Sequence, residues 1–211
     1  MLSRFALGYE SLCRFVLVAL TINISMLIHT LLGVFLIGAF PSVSAAYSTW
    51  RTWFLDTDRE WTVKQTWRIF HEAWKDDIKD ANTLGWLETA AWLFLMYDRW
   101  ILTVNGLGFF GFAASGLITV IIVAYALFTM LTWMVHVNFD ETIAWTMRIS
   151  LGMIVAKPLC SLLILLLLVF VVYLCIACPG VVAAFGLSGP IFGTVGCVYV
   201  VGGLPGMTRH T

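Results

Sequence analysis

Four polar side chains stand inside otherwise apolar stretches and are the groups best placed to do chemistry: Asn23, His29, Glu88 and Asp98. Polar and ionisable groups in hydrocarbon are costly, and by default they mark relays, solute contacts or buried pairs. Depth arithmetic sorts them. At 1.5 Å of rise per residue and a hydrocarbon core of about 30 Å, His29 falls about 9 Å from the inner boundary and Glu88 about 6 Å from it, so the two are expected to meet. Asp98 falls about 21 Å from the inner boundary and Asn23 about 12 Å from the outer one, which makes a second candidate pair. The alternative places Glu88 at the interface and lets Asp98 and Arg99 reach toward outer headgroups. Those two are neighbours in sequence and do not face each other on a helix.

Other chemistry is sparse. The sequence holds no H-E-x-x-H, G-x-S-x-G or phosphate-binding loop, the spacings that would announce a zinc hydrolase, a serine hydrolase or a nucleotide site. Histidines at 29, 71, 136 and 210 are scattered, and the best local pair, His136 with Asp140, is too small for a metal. Cys175 and Cys178 form a lone C-x-x-C without a second pair, and the cysteines read as small hydrophobes. These features predict no enzyme, no metal and no cofactor.

The elements that must position these groups are membrane helices. Hydrophobic residues make up 61% of the chain and charged ones 11%, with mean hydropathy +0.93, far from the roughly 25% charge of soluble domains. Twelve basic residues balance twelve acidic ones, so no basic surface for nucleic acid is expected. Five stretches reach the roughly 20 residues a span needs: 15–40, 84–104, 107–135, 158–178 and 181–204, the last glycine-rich and broken near Pro190. The fold class is thus an all-α membrane protein, one polytopic domain over 1–211, with five transmembrane helices and one or two interfacial helices.

Orientation follows from basic residues. Arg4, Arg14 and Arg99 share one side, and Arg51, Arg59, Lys64, Arg68, Lys75, Lys79, Arg148, Lys157 and Arg209 share the other. The positive-inside rule then predicts a multi-pass protein of the cell membrane, N-terminus outside, C-terminus cytoplasmic, segment 41–83 cytoplasmic. A competing reading takes the first stretch as a signal peptide cut near Val43-Ser44-Ala45, but its 26 residues exceed an h-region of about 7–15.

Within the cytoplasmic segment Val63, Trp67, Phe70, Trp74 and Ile78 recur at helical spacing between charged positions. This predicts an interfacial amphipathic helix over about 61–81, its stripe (Trp67, Phe70, Trp74) packing on the bundle or docking a partner. A second such helix is expected over 139–156, with Asn138 and Glu141 resembling a capping box and Pro158 ending it. The two junctions, DANTLGWL and VAKPLCSL, suggest a parallel internal repeat.

The runs IGAFPSVSAAYSTWRTW and TWRIFHEAWKDDIKDANTLGW resemble the YesL family of bacterial integral membrane proteins, over about residues 15 to 104. The matching elements are Gly38, Pro41, Ser44 to Ala46, Arg51, Trp53, Phe70, Lys75, Ala81, Asn82 and Gly85, with Asn138 to Asp140 and Pro158 as weaker anchors. The family has no assigned function; its members are often encoded beside carbohydrate ABC importers, so the resemblance implies an accessory role in carbohydrate uptake. The residues themselves read structurally. Gly38, Ser42 and Ala46 make a flat helix face, as do Gly189, Gly193 and Cys197. Pro41 should kink the first span, and Asn82 with Gly85 should form the elbow into the second. The expected function is a non-enzymatic membrane protein that docks carbohydrate ABC importer components through its cytoplasmic helix. The alternative is a small solute transporter or channel with a polar pocket between spans one and two, working as a homo-oligomer in the lipid bilayer.

Overall fold

The computed structural model describes residues 2–105 and 108–204, with side chains from Tyr9 onward except Val182 and Ala183. Arg209 and His210 lie outside that range, as does the side chain of Arg4. Among the described residues there are nine α-helices and no strand: α1 (Leu2–Leu32), α2 (Ala39–Leu55), α3 (Val63–Asp76), α4 (Ile78–Val104), α5 (Gly108–Asn138), α6 (Ile143–Ala156), α7 (Pro158–Ala177), α8 (Pro179–Phe185) and α9 (Ser188–Cys197), closed by a π-helical turn (Val198–Gly202). Among the described residues three helices, not five, are long and apolar enough to cross a membrane: Tyr9–Leu32 of α1, α5 and α7. α4 has the length, but Glu88, Asp98 and Arg99 interrupt its apolar run. The expected fifth span breaks into α8, α9 and the π turn, with Pro190 in the first turn of α9, where a missing N–H costs no hydrogen bond.

The first predicted span is also two helices. After Leu32 the chain turns through 33–38, with Val34 at φ 53° and Phe35 at φ 63°. Gly33 and Gly38 meet there: a Cβ on Gly33 would stand 2.2 Å from the Gly38 Cα, so neither position has room for a side chain. Pro41 therefore kinks nothing; it sits in the first turn of α2, a place suited to its fixed φ. Hydropathy could not show this turn, because its residues are as apolar as the helices it joins. α2 folds back along α1, and the Phe15 ring lies 5.9 Å from both Trp50 and Trp53.

α3 begins at Thr62, whose hydroxyl accepts the Gln65 N–H at 3.2 Å as an N-cap. It runs parallel to α1. Glu60 pairs with Arg14 at 3.5 Å before its start, and Trp67 to Trp74 surround His29 toward its end. Arg14 therefore stands with the loop that the basic-residue count had put across the membrane from it. The elbow into α4 is Asp77, not Asn82 and Gly85, which lie inside α4. Asn82 donates to Ile37 O at 2.9 Å, and Gly85 lets α4 approach the Phe40 ring so closely that a Cβ would clash at 2.2 Å. Asn138 ends α5 and does not cap α6, which starts after Thr142.

An internal repeat is visible once the helices are aligned. α3 and α6 each span 14 residues, each follows a threonine, and each stops one residue before the next helix, at Asp77 and Lys157. Their sequences run Thr62-Val63-x-x-Thr66-x-Arg68-Ile69 and Thr142-Ile143-x-x-Thr146-x-Arg148-Ile149. Thr66 and Thr146 are both fully buried. α2–α3–α4 and α5–α6–α7 are thus two copies of one pattern, in a register five residues from the one the junction sequences suggested. The core that joins them holds Ile22, Trp50, Phe70, Leu84, Leu131, Met134 and Ile164. α9 completes it, with Phe192 against Trp50 and Gly193 flush with Leu167 of α7.

The loop before α3 is tied locally. The Trp61 indole N–H donates to Asp56 Oδ2 at 2.8 Å and the Asp58 N–H to Oδ1 at 3.0 Å. These bonds, the indole first, hold the Asp56 carboxyl below the usual carboxylate range. A depressed pKa means the contribution is complete above the unfolded value and lost as pH falls through the folded one. Trp61→Phe is expected to lower the melting temperature slightly at neutral pH, with the difference from the parent shrinking in acid; thermal melts across pH 2–7, roughly the range that brackets an ordinary carboxylate near 3.9, check it.

Candidate functional site

Asp77 occupies the one-residue break between α3 and α4, at φ −110° and ψ 18°, in the sparsely populated bridge region where active-site residues often sit. The break frees its carboxylate to face sideways, between the two repeats. Ser44 Oγ of α2 donates to Oδ2, and His136 Nε2 of α5 meets the same oxygen at 2.8 Å. Since a carboxylate only accepts, the imidazole presents Nε2–H to it. The side chains are 9% exposed for His136 and 24% for Asp77, so the pair is mostly dry on one side and wetted on the other. His136 Nδ1 is buried without a hydrogen-bond partner. Beside them Arg51 Nε donates to Asn138 Oδ1 at 2.8 Å, a second link between α2 and the end of α5.

These groups border an open recess of about 420 Å³ lined with Asp76, Asp77, Asp80, Asp140 and Glu141, besides Ser44, Ser48, His136, Asn138 and Phe139. Acidic groups dominate it. A neutral polyhydroxylated or cationic solute suits such a lining and an anion does not. A serine, a histidine and an aspartate meet here, but the carboxylate is the bridging member. The Ser44 proton is committed to Asp77, so histidine is not placed to activate the serine as nucleophilic catalysis requires. A second recess, about 440 Å³ at the far end of α1, is lined by Glu10, Arg14, Arg59 and Glu60, where Arg14 pairs with both glutamates.

Glu88 lies deeper. It shares the buried face of α4 with Ala81, Leu84 and Gly85 and is 3% exposed. The Trp133 side chain of α5 is its hydrogen-bonding neighbour, while Oε1 has no partner. Tyr125 OH donates to the Glu88 carbonyl at 3.2 Å. Trp133 also meets the His136 ring edge-on at 6.0 Å, so adjacent turns of α5 serve Glu88 and Asp77. A family model described as a protein of unknown function, DUF624, matches residues 19–99. No curated protein and no solved structure matches the chain. The DUF624 match takes in Ser44, Asp77 and Glu88 and ends before their α5 partners, Trp133 and His136.

The expected pairs do not form. His29 Nδ1–H donates to Ser25 O at 2.8 Å and Nε2 meets His71 Nδ1 at 2.9 Å, which occupies both ring nitrogens and leaves none for Glu88. Trp67, Phe70 and Trp74 pack around that imidazole at 4.9–5.3 Å, and Phe70 is fully buried. The stripe read as a docking surface thus faces the protein's own α1. Asn23 Oδ1 accepts from Leu187 N and Ser188 N at 3.3 and 3.4 Å, capping α9 from α1. Asp98 is half-buried on α4, next to Arg99, which reaches Ser115 and Thr119 on α5. Gly38 and Pro41 shape the α1–α2 turn, and Pro158 opens α7 at its first position. Sequence reading singled out Glu88, weighed His136 only with Asp140, and missed Ser44 and Asp77 as partners because they join segments 33 to 59 residues apart.

Proposed function

We propose that this chain is a non-enzymatic membrane protein of the transport type that takes a small polar solute into the Asp77 recess. The observation that carries this reading is Asp77 itself, a carboxylate at a helix break that ties one repeat to the other beside an open polar recess, with buried Glu88 about three turns further along α4. Helical repeats whose interface holds a broken helix are a recurrent arrangement for solute sites. The basic residues around α3 favour a recess that opens to the cytoplasm. Carbohydrates, the class suggested by the YesL resemblance, are the first solutes to test, since their hydroxyls suit Asp80, Asp140, Glu141 and Ser48 and a sugar face suits Phe139. A small amine is the second. Docking of importer components is less well supported, because Phe70 and its neighbours are enclosed.

Equilibrium binding and flux in reconstituted vesicles, over a panel of mono- and oligosaccharides and amines, test the proposal. Asp80 and Asp140 are exposed and unneeded for packing. Asp80→Asn and Asp140→Asn are each expected to weaken binding about tenfold, since a hydrogen bond to a charged group contributes roughly 1.5 kcal/mol or more. A panel in which nothing binds and nothing crosses sinks the reading.

A further inference from the structure

α1 carries one apolar stripe outward: Leu17, Ile24, Leu27, Ile28, Leu31 and Leu32 are exposed on it. The stripe continues into the turn, where Val34 is 78% and Phe35 66% exposed, with Leu36 and Ile37 beside them. From residue 15 to residue 50 the chain has no Asp, Glu, Lys or Arg. Such a surface ordinarily marks a spanning helix. α3 rules that out for a chain surrounded by lipid. Its start lies by Arg14, through Glu60, and its last turns lie by His29. From Val63 to Trp74 α3 rises about 16 Å and from Arg14 to His29 α1 rises about 22 Å, and with these contacts at both ends the helices run level with each other. Lys64, Arg68, Glu72 and Lys75, all exposed, therefore occupy the depths that a spanning α1 would place in hydrocarbon. Arg68 and Glu72 are 4.0 Å apart, and both side chains remain largely exposed. Charges at such depth are not left facing acyl chains.

The turn is nevertheless built for an apolar medium. The N–H groups of Gly33, Val34, Phe35, Leu36, Ile37 and Ala39 all find acceptors within the chain. Outside the turn, Asn82 donates to Ile37 O at 2.9 Å and Trp74 to Gly38 O at 3.4 Å. Backbone satisfied in this way tolerates lipid, which cannot hydrogen-bond it. Trp86, half exposed against Phe40, is an aromatic anchor of the kind found at headgroup level.

We propose that α1 does not cross the bilayer. The α1–α2–α3 layer lies along the membrane surface, with the α1 stripe and the 34–37 turn sunk into one leaflet and the charged face of α3 in water. The occupant of this surface is lipid, and crossing the membrane is left to the helices that follow. The idea stands whether or not the recess binds a solute.

The test is photolabelling of the unmodified protein in vesicles whose phospholipids carry a diazirine either near the headgroup or at the acyl terminus. The shallow probe is expected to mark α1 and the following turn from Leu17 to Ile37, and the deep probe to mark α5 and α7 but not α1. Spin labels give an independent readout: Leu17→Cys, Ile24→Cys, Leu31→Cys and Phe35→Cys, at exposed sites, should report one nearly constant depth. A crossing helix instead changes depth by about 21 Å between 17 and 31. Deep-probe adducts at Ile24 to Ile28, or a depth maximum in mid-helix, overturn the proposal. The same pattern with water reaching Arg68 would instead indicate α3 lining a pore between copies of the chain, and overturns it equally.

Discussion

Truncating Phe70 to alanine lowers the stability of the detergent-solubilised protein by roughly 3–5 kcal/mol, the cost of a large cavity in a close-packed core. Phe70 has no exposed surface, and its ring lies 5.0 Å from that of His29. Removing it undoes the contact of α3 with α1 and loosens the shell that keeps His29 and His71 paired. Chemical denaturation monitored by circular dichroism reads the loss directly. The result also separates two roles for the Trp67, Phe70, Trp74 stripe. A docking surface would lose a partner while the isolated protein melted as before; a core surface loses stability with no partner present. Trp67→Ala and Trp74→Ala should follow the same direction with smaller losses, because each indole keeps part of its surface in solvent.

That contrast shows where a sequence is legible. The period of Trp67, Phe70 and Trp74 reveals an apolar stripe and even its helix, but periodicity carries no information about what covers the stripe. Here the cover is an element 40 residues earlier. α5 and α7 were readable nearly to their ends because long uninterrupted apolar runs have one stable form in lipid. The α1–α2 turn was not, since Val34 and Phe35 are poor turn residues that only the Gly33 and Gly38 contact makes tenable. Depth arithmetic failed for His29 for the same reason. It assumed a straight span to Phe40, whereas the helix stops at Leu32 and His71 arrives from α3 to take the nitrogen assigned to Glu88. The acids survive as candidates on different grounds. Glu88 was visible as a charge in apolar text, while Asp77 looked like one more charged position of the interfacial helix until the helix break isolated it.

Glu88→Gln is expected to raise stability while abolishing solute movement. A buried carboxyl with one unpartnered oxygen is expensive to hold in the fold whenever it ionises, and an amide of the same shape removes that desolvation cost. The amide keeps an acceptor for Trp133 and adds a donor where Oε1 has none, so packing between α4 and α5 is retained. If Glu88 were only a structural member of the core, flux would follow the melting temperature and persist in a variant that melts as before or higher. If it is a working group behind the recess, flux in vesicles stops while the protein melts at the same temperature or above. Proteins commonly carry destabilising groups where function needs them, and gain stability when those groups are removed. Asp77→Asn makes the complementary case. It gives up the charge that holds His136 at 2.8 Å, and it should lose both binding and stability, the latter by roughly 1.5–3 kcal/mol for a hydrogen bond to an ionised partner. Opposite signs of the stability change at Asp77 and Glu88, with loss of flux at both, is a pattern that neither a purely structural Glu88 nor a general weakening of the bundle produces.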